Sequence, residues 1–231
     1  MIKLEKVNKI YDNNVHALKN IDLLIKKGEF VFLVGASGSG KSSLIKLMLR
    51  EIKATNGKII VDNVILENIK EKEVPYFRRK LGVVFQDFRL LQNKTIYDNI
   101  AYAMKVVEAN KQDIEKKVPV ILARVGLSEK ANSYPHELSG GEQQRASIAR
   151  AIINNPKVLL ADEPTGNLDP KTTEEILDLL IDINKKGTTV IMATHDSVIV
   201  DKMKKRVIYM KNGEIVSDNM KGGYVFENSH Y

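Results

Sequence analysis

Nine residues, Gly35-Ala36-Ser37-Gly38-Ser39-Gly40-Lys41-Ser42-Ser43, carry the densest chemistry of the chain. A glycine, four free positions and then Gly-Lys-Ser is a spacing that lets backbone curl round phosphate. The glycines turn tightly and bare N–H groups, and the helix that follows adds the partial positive charge of its start. Lys41 is expected to meet the β- and γ-phosphates of a nucleotide and the Ser42 hydroxyl to hold Mg²⁺. Asp162 and Glu163 follow the apolar run Val158 to Ala161. Adjacent carboxylates at a strand end point in different directions, so Asp162 is expected to support Mg²⁺ through a water and Glu163 to polarise an attacking water as general base. His195 closes the run Thr189 to Thr194, where it is expected to reach a γ-phosphate. Gln86 ends the run Leu81 to Phe85, and its amide can bond both Mg²⁺ and the attacking water without adding charge.

A second anion-gripping stretch is Leu138-Ser139-Gly140-Gly141-Glu142, followed by the apolar-rich Ala146 to Ile153. Two glycines at a helix start bare N–H groups, and Ser139 adds a hydroxyl. Because Gly35 to Ser43 already surrounds one nucleotide, Ser139 and its glycines are expected to complete the site of a second copy. The result is a head-to-tail homodimer with two ATP molecules at its interface. Tyr11, just before the turn Asp12-Asn13-Asn14, is an aromatic that can stack on adenine.

These residues need strands to deliver them and helices to receive phosphate. Phe30 to Val34 before the glycine loop and Leu44 to Leu49 after it read as a buried strand and a buried helix. Up to Ile25 the pattern predicts short strands at Ile2 to Val7, Val15 to Leu18 and Ile21 to Ile25. Lys58 to Val61, turning at Asp62-Asn63, adds a hairpin. Glu71 to Lys80 predicts an exposed helix and Leu81 to Phe85 a buried strand. From Asp87 to about Ile153 the pattern is mainly helical, with Ile100, Ala103, Met104 and Val107 on one face. Val158 to Ala161 and Thr189 to Ala193 predict further buried strands, separated by a helix over Thr172 to Asn184. Val207 to Met210 and Glu214 to Val216 make a closing hairpin, and the residues from Lys221 read as a short tail.

The fold class expected is therefore α/β, with an N-terminal antiparallel β subdomain, a phosphate-loop core and a helical subdomain inserted at about residues 87–153. At 231 residues, 43% hydrophobic and 28% charged, the chain is long enough for one such domain. No run approaches the roughly 18 apolar residues of a membrane span, and the alternating start lacks a signal peptide's apolar core, so a cytoplasmic location is expected. The absence of cysteine excludes disulfides and thiolate metal sites. The formal charge of +7 is spread along the chain with no concentrated basic arm, and no nucleic-acid partner is expected.

With these motifs in place the sequence resembles the ATP-binding cassette (ABC) ATPases over essentially its whole length. That resemblance implies a single P-loop NTPase core of RecA-like type over residues 1–231. In the family's terms Gly35 to Ser42 is the Walker A loop, Val158 to Asp162 the Walker B strand and Leu138 to Glu142 the signature. Tyr11 matches the adenine-stacking aromatic, Gln86 the Q-loop, Asn167-Leu168-Asp169 the D-loop and His195 the switch histidine. Glu142 departs from the glutamine of the commonest signature. The run Val84 to Leu91, with Val74 to Lys80 before it and Thr95 to Asn99 after it, is similar to the cell-division ATPases of the family. Those pair with an FtsX-type integral membrane permease and regulate peptidoglycan hydrolase activity from the cytoplasmic face of the membrane. Lipoprotein-releasing and macrolide-export ATPases share the Phe-Gln motif and the Glu142 signature and stand as the alternative; a ribosome- or nucleic-acid-associated ATPase is a more distant one. Phe88, Leu90, Leu91 and Tyr97 are expected to receive the membrane partner.

Overall fold

A computed structural model describes residues 1–220 and Gly222, and the tail from Lys221 otherwise lies outside the described residues. The chain divides into two compact units, Met1–Ile69 together with the chain from Ile191 onward, and Lys70–Val190.

The first unit opens on β1 (Ile2–Ile10) and β2 (His16–Ile25), paired antiparallel. Ile2, Leu4 and Val7 are the buried positions of β1, and Leu18, Ile21, Leu23 and Ile25 those of β2. Each strand slips its period of two once, between Leu4 and Val7 and between Leu18 and Ile21. In each gap one residue, Lys6 (φ 49°) or Asn20 (φ 46°), takes a left-handed bulge that returns the next apolar side chain to the core face. The two strands expected at residues 15–18 and 21–25 are consequently one. The Asn20 N–H bonds the Asn8 side chain at 2.8 Å, so the bulge is held from the facing strand.

β3 (Phe30–Val34) is buried throughout and leads through the glycine loop into α1 (Lys41–Met48). β4 (Asn56–Val61) and β5 (Val64–Ile65) are joined at Asp62-Asn63, both at positive φ as a two-residue hairpin turn of the favoured hand requires. The antiparallel sheet runs β2-β1-β4-β5.

The second unit begins with α2 (Val74–Arg78) and β6 (Leu81–Val84). The helix expected over Glu71 to Lys80 is shorter and less exposed, because Val74 and Phe77 turn into the core. Helical structure after Gln86 starts only at α3 (Ile96–Val106), where Thr95 caps the helix by accepting from the Asp98 N–H. Asp87 to Thr95 is a loop whose Phe88 (φ 57°) and Arg89 (φ 48°) are left-handed, a conformation no helix accommodates. α4 (Lys111–Arg124) and α5 (Gly140–Ile152) pack with α3 before β7 (Val158–Asp162) pairs parallel with β6. α6 (Pro170–Lys185) starts at the Asp169 cap with proline at its first position, where no N–H is needed.

β8 (Thr189–Thr194) begins in the second unit and ends in the first. In the first unit α7 (Ser197–Met203) follows it, then β9 (Arg206–Lys211), parallel to β3, and β10 (Glu214–Asn219), antiparallel to β9. Arg206 closes this end of the unit. Its guanidinium donates to both Asp218 carboxylate oxygens at 2.8 and 2.6 Å, to Glu29 at 2.7 Å and to the Leu24 carbonyl at 2.8 Å. Replacing it by Arg206→Met leaves two partly buried carboxylates beside an apolar side chain. Urea unfolding is expected to show a loss of about 2 to 4 kcal/mol, whereas a surface ion pair would cost less than about 1.

Candidate functional site

The phosphate loop lies in the first unit. β3 delivers Gly35, which has φ 148° and no room for a side chain, since a Cβ there would collide with the Met210 carbonyl oxygen. At Gly40 (φ 108°), which begins α1 without a side-chain cap, a Cβ would lie 2.7 Å from the Ala17 carbonyl oxygen. Glycine at both places is thus demanded by geometry and crowding together. Ala36, Ser37, Gly38 and Ser42 are exposed, while Lys41 is buried with its ammonium on the Gly35 and Ala36 carbonyls at 2.7 and 3.1 Å. The Ser39 hydroxyl is buried without a hydrogen-bond partner.

Tyr11 is tethered to the same loop. Its hydroxyl is 3.1 Å from Ser43 Oγ and its ring lies under the Lys9 ammonium at 5.0 Å, so the ring is held on two sides. His195 is exposed between the end of β8 and the start of α7. Its backbone position is set on the C-terminal side by Asp196. The Asp196 N–H bonds Thr194 Oγ1 at 3.1 Å, and its carboxylate caps α7 through the Val198 and Ile199 N–H groups.

Gln86, Asp162, Glu163 and the signature stretch lie in the second unit. β6 and β7 pair parallel, Val84 opposite Ala161, so Gln86 and the Asp162-Glu163 pair leave neighbouring strands at the same edge. Glu163 has φ 49°, an uncommon conformation for a residue with a Cβ, and its carbonyl accepts the Gly166 N–H at 3.2 Å. A Cβ on Gly166 would sit 3.1 Å from Gln86 Nε2, which brings the glutamine amide against the turn that carries Glu163.

α5 supports this turn from beneath. Gln144, fully buried, donates to the Pro164 carbonyl at 2.6 Å. At the start of α5 a capping box closes on itself: Glu142 N–H donates to Ser139 Oγ at 3.3 Å and Ser139 N–H to the Glu142 carboxylate at 2.8 Å. The Ser139 N–H holds the Glu142 carboxyl below the usual carboxylate range, with the Ser139 hydroxyl and then Lys130 and Arg145 adding to it against the cost of burial. This gives the Glu142 departure a physical meaning, because a carboxylate at the third helical position serves both the cap and the helix dipole. Gly141 sits against Thr172 so tightly that a Cβ there would collide with the threonine methyl. The Asp169 carboxylate accepts from the Thr172 N–H and hydroxyl, so the D-loop and signature helix starts are locked together.

Of the residues expected from sequence, the first unit brings together Tyr11, the phosphate loop and Ser43, and carries His195. The second brings together Gln86, the Glu163 turn and the Ser139 to Glu142 helix start. Leu90 is buried, and Phe88, Leu91 and Tyr97 are half-buried. Sequence reasoning missed Gln144, Asn99 and Arg150. The available signal was a polar side chain inside an apolar pattern: Asn99 between Ile96 and Ile100, Gln144 and Arg150 flanking Ala146 to Ala149. Among the described residues no three His, Asp or Glu side chains cluster as a metal site, and no helix is long and apolar enough to cross a membrane.

The glycine loop between β3 and α1, the carboxylates at the end of β7 and the capped signature helix agree with the family comparison: residues 18–166 match the ABC transporter model, and the chain belongs to that family of P-loop ATPases. It is 38% identical, with a TM-score of 0.87, to the dimeric ATP-binding cassette MJ0796 in a post-hydrolysis state bound to ADP and Pi. The match covers 97% of this chain and all of that one. Within the family it is an ATPase of the cell-division type. It is 51% identical over 227 residues to the cell division ATP-binding protein FtsE of Streptococcus pneumoniae, covering 98% of this chain and 99% of that protein. It is 52% identical over 224 residues to FtsE of Bacillus subtilis, covering 97% and 98%. Identity at this level over the full length favours cell division over the exporter alternatives.

The capping box carries a pH dependence. Glu142 titrates below its unfolded value of about 4.3, so its stabilisation is complete above that value and is lost as pH falls through the lower folded value. Glu142→Gln keeps a carbonyl for the Ser139 N–H but has no proton to take up. Its melting temperature is expected to fall less than that of the wild type as pH drops from about 5 to about 3, and to follow the wild type above about pH 5, in parallel thermal melts.

Proposed function

We propose that the protein closes as a homodimer on two Mg-ATP and reopens on hydrolysis, driving an FtsX-type integral membrane permease from the cytoplasmic face of the membrane. Through that permease it regulates a peptidoglycan hydrolase. The observation that carries the proposal is the presence of two separate anion-binding helix starts in one chain, α1 behind its glycine loop and α5 behind Ser139. Shared sites in a head-to-tail pair use both. The similarity to a dimeric cassette and to FtsE supports the dimer and the membrane partner. The half-buried Phe88, Leu91 and Tyr97 are the surface offered to that partner, and no nucleic acid is involved. The whole chain acts as one cassette.

In this scheme Gly35 to Gly40 wrap the phosphates with backbone N–H groups, and Ser43 and Tyr11 take the α-phosphate side and the adenine ring. Lys41 exchanges its two backbone carbonyls for β- and γ-phosphate oxygens, a stronger charge-assisted pairing. Glu163 accepts the proton of the attacking water, Gln86 orients that water, and His195 donates to the γ-phosphate. Ser139, Gly140 and Gly141 of the partner copy face the same phosphate. Ser42, Gln86 and Asp162 offer hydroxyl, amide and carboxylate oxygens. A few such hard oxygen donors would suit Mg²⁺, whereas zinc and copper favour sites that include nitrogen or sulfur. Bound there, Mg²⁺ neutralises charge on the phosphates.

Two substitutions test these assignments. Glu163→Gln keeps the shape but removes the base, so ATP binding is expected to persist while hydrolysis falls by about 10²- to 10⁴-fold. Gel filtration of this variant with Mg-ATP then shows a dimer; a monomer at saturating nucleotide contradicts the shared site. Lys41→Ala is expected to weaken ATP binding at least about tenfold by calorimetry, since it removes the cation that meets two phosphates.

A further inference from the structure

The loop from Asp87 to Thr95 follows Gln86 directly, and its backbone is under strain. Phe88 and Arg89 are consecutive bulky residues at φ 57° and 48°, where a Cβ is disfavoured. Such a pair persists only if its surroundings hold it.

The holder is Arg150, in the last turn of α5. One guanidinium nitrogen donates to the Arg89 carbonyl at 2.5 Å and another to the Phe88 carbonyl at 3.0 Å, so two arms of one rigid fork grip the two strained residues. The guanidinium is largely withdrawn from water, and burial pushes its pKa down, a cost that these bonds offset. Arg89 folds its own side chain over the Phe85 ring at 3.7 Å and pairs with Asp87 at 3.2 Å. Farther along, the fully buried Asn99 accepts from the Leu91 N–H at 2.7 Å and donates to the Leu91 carbonyl at 3.1 Å. The loop is fixed at its strained start by α5 and at its middle by α3.

The same helix meets the loop a second time. A Cβ on Gly140 would lie 3.8 Å from the Phe88 ring and 3.6 Å from Leu168. From Gly140 to Arg150 is ten residues of helix, roughly 15 Å of stiff rod. α5 therefore touches the Gln86 loop with its signature end and holds it with its far end.

We propose that Arg150 is a positioning residue for Gln86: it locks the left-handed Phe88-Arg89 pair and so sets the direction in which the chain leaves the glutamine. The proposal rests on the role assigned above to Gln86 in hydrolysis.

The test is steady-state ATPase of the purified full chain, with ATP affinity and thermal melts measured beside it. Arg150→Lys keeps the charge but loses the fork. It is expected to lower kcat about tenfold, the equivalent of about 1.4 kcal/mol, with KM and ATP affinity within about twofold of wild type. Arg89→Gly removes part of the strain that the clamp opposes, because glycine adopts φ > 0 at no steric cost. Alone it is expected to retain kcat, and added to Arg150→Lys it restores most of the lost rate. A helix merely weakened by the substitution would gain nothing from a glycine in a different segment. Should Arg150→Lys melt below the assay temperature, Arg150→Gln, which retains one donor group, replaces it in the same comparison. An unchanged kcat in the Arg150 variant, or a loss that Arg89→Gly leaves unrepaired, overturns the clamp. Gln86→Ala separates the two levels. If it lowers kcat while Arg150→Lys does not, only the clamp fails; if it leaves kcat intact, the assigned role of Gln86 fails and the clamp with it.

Discussion

Polar side chains of α5 tie it to its surroundings, although the Gln144 side-chain oxygen and the Ser147 hydroxyl are buried without a partner. Gln144 reaches the Pro164 carbonyl, Arg145 pairs with Glu175 at 3.0 Å, and Arg150 takes the two carbonyls beyond Gln86. Each bond ties the helix to a different functional segment: the turn after Glu163, the helix behind the D-loop and the loop after Gln86. A helix with an entirely apolar inner face would pack as well but would leave those carbonyls unsatisfied and those segments free to drift. The polar bonds thus position loops that hydrophobic contact alone, being non-directional, leaves under-determined.

The first unit uses the same device in a different form. Lys41 is buried, and its ammonium donates to two carbonyls of its own loop, which ties the loop to its cation. Tyr11 is tethered to Ser43, and Asp196 fixes the chain beside His195. Pre-organisation of this kind reduces the ordering required on binding, as befits a site that cycles repeatedly between nucleotide states.

Left-handed backbone occurs along the whole chain, at Lys6, Arg50, Glu108 and Lys204 among other places, and part of it lies beside the chemistry. Glu163, the proposed base, and Phe88 and Arg89, just beyond Gln86, adopt left-handed conformations although none is glycine. Asp62 and Asn63 show the contrasting case, where positive φ in a hairpin turn falls on residue types that tolerate it. Around Glu163 and Phe88 the conformation is imposed from outside by partners on α5 and by the tight Gly166 turn.

Much of the protein was legible in the sequence because its decisive features are local. Gly-rich spacing before a helix, apolar runs ending in Asp162-Glu163, Gln86 or His195, and Ser139 three residues before Glu142 each imply their geometry through short-range sterics and hydrogen bonding. The hairpin turns at Asp62-Asn63 and Asn212-Gly213 followed for the same reason. What the sequence could not determine was wherever one residue's conformation depends on another far along the chain. The bulge at Asn20 relies on Asn8, the loop that stands at the start of the mainly helical stretch after Gln86 owes its left-handed pair to Arg150, 61 residues from Arg89, and Asn99 meets Leu91 only where that loop packs on α3. Local patterns report torsional preference and amphipathic period. The satisfaction of buried polar groups is a property of the packed chain, and only tertiary structure decides which carbonyl each of them meets.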